Sequence, residues 1–309
     1  MGAMLRRLIL ALSRSRAAGH VAENVPGVRG FSRRFVAGVR CDDVAEAVRR
    51  LNAQGFEATV SCLGEDVRSE REVEASLAEF AAFLAAVREG TLRSHLSVKL
   101  SQLGLAFDEA LAARSLDRVL CEAADAGTFV RIDMEDSRYT DATLRVFREA
   151  RSRHDNVGIV IQAYLRRSTA DIEALAAEGA PVRLVKGAYR EPEDVAFEDK
   201  REVDAAFVRL AETYLARMAA GGRLAVATHD VRMVRAALQS ARRLGVKRDR
   251  FEFQMLYGIR GDLQRALRDR GYTVRVYVPY GTHWYPYLMR RLAERPANLW
   301  FFLRGALRR

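Results

Sequence analysis

Cysteine, proline and tryptophan are all scarce in this chain, and each scarcity excludes something. Its 309 residues hold three cysteines, Cys41, Cys62 and Cys121, odd in number and with no CxxC pair. That argues against a disulfide framework and fits reduced thiols in a cytoplasmic protein. Six prolines, 21 glycines and no Pro/Gly/Ser-rich tract leave no linker, so the simplest expectation is one domain over residues 1–309. Long apolar runs are missing too. Residues 8–12 are too short for a signal-peptide core and are followed at once by Arg14 and Arg16. Nothing approaches the roughly 18 apolar residues that a membrane span requires. Nucleotide signatures are likewise absent: there is no GxGxxG after the first strand pattern and no P-loop. No GxSxG elbow occurs, and His229 has no Cys or second His at ligand spacing, so no metal site is expected.

What the chain does carry is positive charge, 51 Lys and Arg against 40 Asp and Glu, a net +11. Such a surplus suits nucleic acid, an anionic lipid surface or acidic small molecules. Arginine is interspersed with acids along most of the sequence, and no basic stripe alternates with aromatics. Nucleic acid is therefore the weakest of the three partners.

Short β-rich runs recur at regular intervals after a helical N-terminal region. The pattern predicts strands at 58–63, 95–100, 129–134, 158–162, 182–186, 224–228, 251–255 and 274–278. Segments between them, such as 70–89 and 204–220, repeat apolar residues every three or four positions and read as amphipathic helices. Strands alternating with helices imply a parallel sheet. Eight such units in about 250 residues are the count and size of a (βα)8 barrel; a doubly wound open sheet is the other arrangement. The expected layout is a helical arm over 1–55 and a barrel over 56–309.

A barrel of this kind works at the C-terminal ends of its strands, and polar residues gather there. Lys99 ends the second run, Asp133 and Glu135 the third, Gln162 and Tyr164 the fourth, and Arg183 with Lys186 the fifth. Thr228, His229 and Asp230 end the sixth, Gln254 to Tyr257 the seventh, and Tyr277 with Tyr280 the eighth. Arg290 and Arg291 follow on a last helix. A guanidinium pair is either a solvated face or a planar fork for a small carboxylate. Two strand lysines also raise a Schiff-base mechanism, which needs one lysine with a depressed pKa. Lys99 beside Asp133 favours the charged ammonium instead.

The motifs Ser97-Val-Lys-Leu-Ser101, Arg131-Ile-Asp-Met-Glu135, Ile161-Gln-Ala-Tyr164 and Arg183-Leu-Val-Lys-Gly-Ala-Tyr189 come in this order. Ala227-Thr-His-Asp230, Phe253-Gln-Met-Leu-Tyr-Gly258 and Tyr277 through Glu294 follow. From about Phe31 onward the chain resembles the monofunctional bacterial proline dehydrogenases. The resemblance implies a distorted (βα)8 barrel with N-terminal helices and a final helix over the mouth. It implies non-covalent FAD, L-proline as substrate, and hydride transfer from proline C5 to the flavin N5. Electrons would pass to a membrane quinone, and the basic surface would suit peripheral contact with anionic lipid at the inner face of the cell membrane. A separate pyrroline-5-carboxylate dehydrogenase would complete the route to glutamate.

By the same resemblance Asp133 and Arg183 are catalytic, Arg183 lying near the flavin N5. Lys99, Tyr189, Leu256, Tyr277, Arg290 and Arg291 match substrate-binding positions. Met134, Gln162, Arg183, Lys186, Gly187, Ala188, Thr228, His229 and Glu294 match positions that contact FAD. Arg190 and the first thirty residues match nothing. A hydroxyproline dehydrogenase of the same fold is the nearest rival, disfavoured because Tyr277 would crowd a C4 hydroxyl. A basic nucleic-acid-binding module is the reading from another class.

Overall fold

In the computed structural model the described residues are 30, 32–64, 67–90 and 92–294; of residues 290–294 only the helical backbone is described. Eight parallel strands close into a barrel. They are β1 (Glu57–Cys62), β2 (Ser94–Lys99), β3 (Val130–Asp133), β4 (Val157–Gln162), β5 (Val182–Val185), β6 (Leu224–Ala227), β7 (Phe251–Leu256) and β8 (Val274–Tyr280). β8 pairs back onto β1, from Glu57 opposite Arg275 to Cys62 opposite Tyr280. The open sheet is excluded. Each predicted strand is present, with ends shifted by one or two residues, because the polar residues at strand ends look alike whether the ladder continues or not.

Strand side chains alternate between two faces, and in this barrel the two faces differ sharply. Val130 and Ile132 point out into the helix layer and are fully buried, while Arg131 and Asp133 between and beside them point in. The outer layer is α1 (Cys41–Ala53), α2 (Glu70–Gly90), α3 (Glu109–Asp125), α4 (Thr140–Arg151), α5 (Ser168–Ala177), α6 (Lys200–Arg217), α7 (Val231–Arg243) and α8 (Gly261–Arg268). Most bury one apolar stripe; on α7 it is Met233, Val234, Ala237, Leu238 and Ala241, the three- and four-residue spacing of a helix face. Phe80, Phe83, Phe147 and Phe207 are wholly buried between layers, each burial worth about 1.5–3 kcal/mol.

The departure from a regular barrel lies at the seam between β8 and β1. There α1, which precedes the first strand, packs against both β1 and β8 through Val44, Val48 and Leu51. A regular barrel fills this slot with the helix that follows its last strand. Ahead of α1, Ala37 N donates to Pro279 O and Gly281 N donates to Gly38 O, tying residues 37–38 to the end of β8. The slot being taken, α9 (Trp284–Glu294) starts after three intervening residues beyond β8, at the C-terminal end of the barrel. No helix among the described residues is long and apolar enough to cross a membrane.

Candidate active site

The register of the sheet builds the site. Lys99 on β2 stands opposite Asp133 on β3, so their inward side chains meet at the barrel mouth. Lys99 Nζ lies 3.8 Å from Asp133 Oδ2. The closer cation is Arg183 on β5, whose Nη1 donates to Asp133 Oδ1 at 2.8 Å. Tyr277 on β8 donates its hydroxyl to Asp133 Oδ2 at 2.9 Å, and the Arg183 guanidinium carbon sits 5.4 Å from the Tyr277 ring centre. Burial inside the barrel, and then the Asp133 charge, push the Tyr277 hydroxyl far above its usual range, so it remains a donor. Below, Arg183 Nη2 donates to Ser97 Oγ at 3.0 Å, which sits 3.2 Å from Thr59 Oγ1. Four strands thus converge on one carboxylate, with two cations set against it.

A second arc covers β4 to β6. Gln162 Nε2 donates to the Glu135 carbonyl at 2.8 Å. Lys186 pairs with Asp204 on α6 and, at 3.3 Å, with Asp230. Asp230 also caps α7 by accepting from Arg232 N at 3.0 Å. The Arg232 guanidinium holds its carboxyl well below the usual range. That cap fixes Thr228 and His229 directly after β6: Asp230 N donates to Thr228 Oγ1 and Leu256 N donates to His229 Nε2 at 2.9 Å. Arg260, held in the left-handed region at φ 53°, donates from Nη1 to the His229 carbonyl at 3.2 Å. Gly187 follows β5 at φ +121°, where a Cβ would come within 2.2 Å of the Tyr164 ring. Only glycine fits there. Ala188 beside it is exposed, Tyr189 and Leu256 are half-buried, and Met134 is buried.

Some expected partnerships differ. Glu135, expected with Asp133 among the polar residues of the working end, is held instead by Ser101, which donates to it from both N, at 2.9 Å, and Oγ, at 2.5 Å. It anchors the turn after β2. The side chains of Arg290, Arg291 and Glu294 lie outside the described residues, so the carboxylate clamp rests on sequence alone. The strand bodies are not simply apolar either. Within the lower barrel Glu252 takes two hydrogen bonds from Arg275, at 2.9 and 3.1 Å, and Arg131 donates to the Ile159 carbonyl at 3.1 Å. His95, Arg131 and Glu252 border a cavity of about 230 Å³ at the N-terminal end. The signal was present as period-two alternation in Val130-Arg-Ile-Asp133 and Phe251-Glu-Phe-Gln254.

Fold and site together define a (βα)8 barrel whose mouth gathers charged and hydrogen-bonding side chains, where barrels of this kind carry their active sites. The model of the family described as proline dehydrogenase matches residues 44–304. Proline dehydrogenase 1 of Bacillus subtilis subsp. natto is 42% identical over 306 residues, 99% of this chain and 100% of that one. The proline dehydrogenase of Deinococcus radiodurans is 38% identical over 283 residues, 90% of each chain. Among solved structures, proline utilization A from Bdellovibrio bacteriovorus, inactivated by N-propargylglycine, superposes with a TM-score of 0.82 at 28% identity. That match covers 91% of this chain and 34% of the longer polypeptide, so this chain spans about a third of it. The chain belongs to the proline dehydrogenase family.

Proposed function

We propose that the chain oxidises L-proline to Δ1-pyrroline-5-carboxylate, the first step from proline to glutamate, using non-covalent FAD and passing the electrons to a membrane quinone. The observation that carries this reading is Asp133 at the mouth, held by Tyr277, Arg183 and Lys99. The residues present also fit a flavin. Arg183 Nε is buried without a hydrogen-bond partner. Gln162 ends β4, and Lys186, Thr228 and His229 follow directly after β5 and β6; they offer amide, ammonium, hydroxyl and imidazole groups. These residues, with Met134, Gly187, Ala188 and Glu294, would hold the cofactor. When bound, FAD supplies the two-electron acceptor for the hydride from C5.

The protein's own part is orientation and charge. Arg290 and Arg291 would clamp the proline carboxylate as a planar fork. Tyr189, Leu256 and Tyr277 would wall the ring and fix C5 in one position, the near-attack placement that removes much of the entropic barrier. Both Asp133 oxygens are already engaged, so Asp133 anchors Lys99 and Arg183 in place. The Arg183 cation stands ready for negative charge that develops nearby. Tyr277 stays neutral and takes the space that a C4 hydroxyl would need, which favours unsubstituted proline. The net charge of +11 suits contact with anionic lipid, at about 1 kcal/mol per well-placed Lys or Arg.

The test is an absorbance spectrum of the purified protein before and after anaerobic L-proline. Flavin bands that bleach with L-proline support the reading. A colourless protein that FAD cannot reconstitute overturns it, and bands that bleach only with hydroxyproline move the substrate.

A further inference from the structure

Away from the barrel mouth, the helix layer gathers a second set of chemically active side chains. Asp117 and Cys121 stand four residues apart on α3, one above the other on one face. His154 comes from the turn after α4, where its amide donates to the Ala150 carbonyl at 2.9 Å and holds the turn against the helix end. One ligand atom from each of the three lies within 4.8 Å of the other two. His154 Nε2 is 2.8 Å from Asp117 Oδ1. Asp117 and His154 are half-buried and Cys121 is exposed, so an ion reaches the trio without opening the barrel.

We propose that Asp117, Cys121 and His154 bind a zinc-class divalent cation, with water in the fourth position. Carboxylate oxygen, imidazole nitrogen and thiolate sulfur are the ligands zinc takes, at about 2.0–2.3 Å. Tetrahedral ligands at those lengths stand about 3–4 Å apart, close to the present separations of at most 4.8 Å. Binding replaces the His154–Asp117 hydrogen bond with two metal bonds. For Nε2 to ligate, the proton it shares with Asp117 moves through solvent to Nδ1, and the thiol proton leaves to solvent. The cation set directly against a ligand is Arg153, whose Nη2 lies 3.4 Å from Asp117 Oδ1 and 3.5 Å from Glu149 Oε1. Its side chain is half exposed and swings to Glu149 when the ion takes Asp117. The bound ion ties α3 to the turn that leads into β4. The expectation of no metal rested on the isolation of His229; Asp117, Cys121 and His154 share no motif spacing, and folding alone unites them.

The experiment is a Co²⁺ titration of the full-length protein under anaerobic conditions. One equivalent should give the visible bands of tetrahedral cobalt with thiolate charge-transfer absorption, both displaced by Zn²⁺. Cys121→Ser should abolish the charge transfer, and His154→Ala or Asp117→Ala should weaken binding roughly tenfold or more, each losing one of three ligands. Arg153→Ala should tighten it. Thermal unfolding of each variant separates ligand loss from misfolding, and L-proline turnover should stay unchanged in Cys121→Ser. Cobalt–thiolate absorption missing from the wild type, or persisting in Cys121→Ser, overturns the proposal.

Discussion

Asp133 has little freedom left: Arg183, Tyr277 and Lys99 reach it from three other strands. Replacing it with alanine takes away the anchor and leaves the Arg183 guanidinium buried without its carboxylate. The expected result is loss of L-proline turnover with flavin absorbance retained, and stability lowered by about 3–5 kcal/mol. Full turnover in Asp133→Ala would rule out its role. Tyr277→Phe removes a donor to the Asp133 carboxylate, so its cost should be about 1.5–3 kcal/mol, roughly tenfold to a hundredfold in kcat/KM. The fork of Arg290 and Arg291 is tested independently of the described geometry. Methionine at either position should raise the KM for L-proline by the equivalent of about 2–3 kcal/mol while FAD stays bound. Unchanged KM in both variants would remove the clamp assignment.

Among the elements, the barrel's working end depends on how each strand is finished. Gln102 clasps β1 to β2 by accepting from Lys99 N at 3.2 Å and donating to the Cys62 carbonyl at 3.0 Å. Ser101 and Glu135 clasp β2 to β3, and Gln162 extends the chain of bonds to β4. The turn after β5 relies on Gly187, where φ is +121° and the Tyr164 ring fills the space of a Cβ. Gly187→Ala should strain that turn by about 1–3 kcal/mol. Because the turn adjoins the proposed cofactor arc, the expected readout is weaker FAD retention in equilibrium dialysis; wild-type retention would separate the turn from the cofactor. These clasps were only partly legible in sequence. Ser101, Glu135 and Gly187 sit in recognisable motifs, yet their partners lie on other elements. Glu135 therefore read as a site acid until its contacts were known.

For the whole molecule, the barrel interior sets a pH limit on stability. His95 lies within it, and burial, then the nearby Arg275 charge, pushes its pKa well below the ordinary value of 6.5. The unfolded chain takes a proton near pH 6.5 that the folded chain refuses. Stability is therefore complete above that pH and falls as the pH drops below it, by at most about 1.4 kcal/mol per unit. Glu252, held below the usual carboxylate range although burial alone would raise it, adds a loss of the same sign only at lower pH. His95→Gln should flatten the unfolding free energy between about pH 5 and 6.5; an unchanged slope in urea titrations would assign the effect elsewhere. The sequence by itself determined the strand count, the alternation of strands and helices that makes the sheet parallel, and the identity of the polar strand ends, since side-chain alternation and helix periodicity are local properties. It also determined family membership, through motifs each contained within one strand and its turn. Only the tertiary structure decided which cation lies closest to Asp133, which helix fills the seam between β8 and β1, and that Asp117, Cys121 and His154 meet. Each of those depends on strand register and on which side chain reaches furthest across the barrel or between helices, distances that no local pattern encodes.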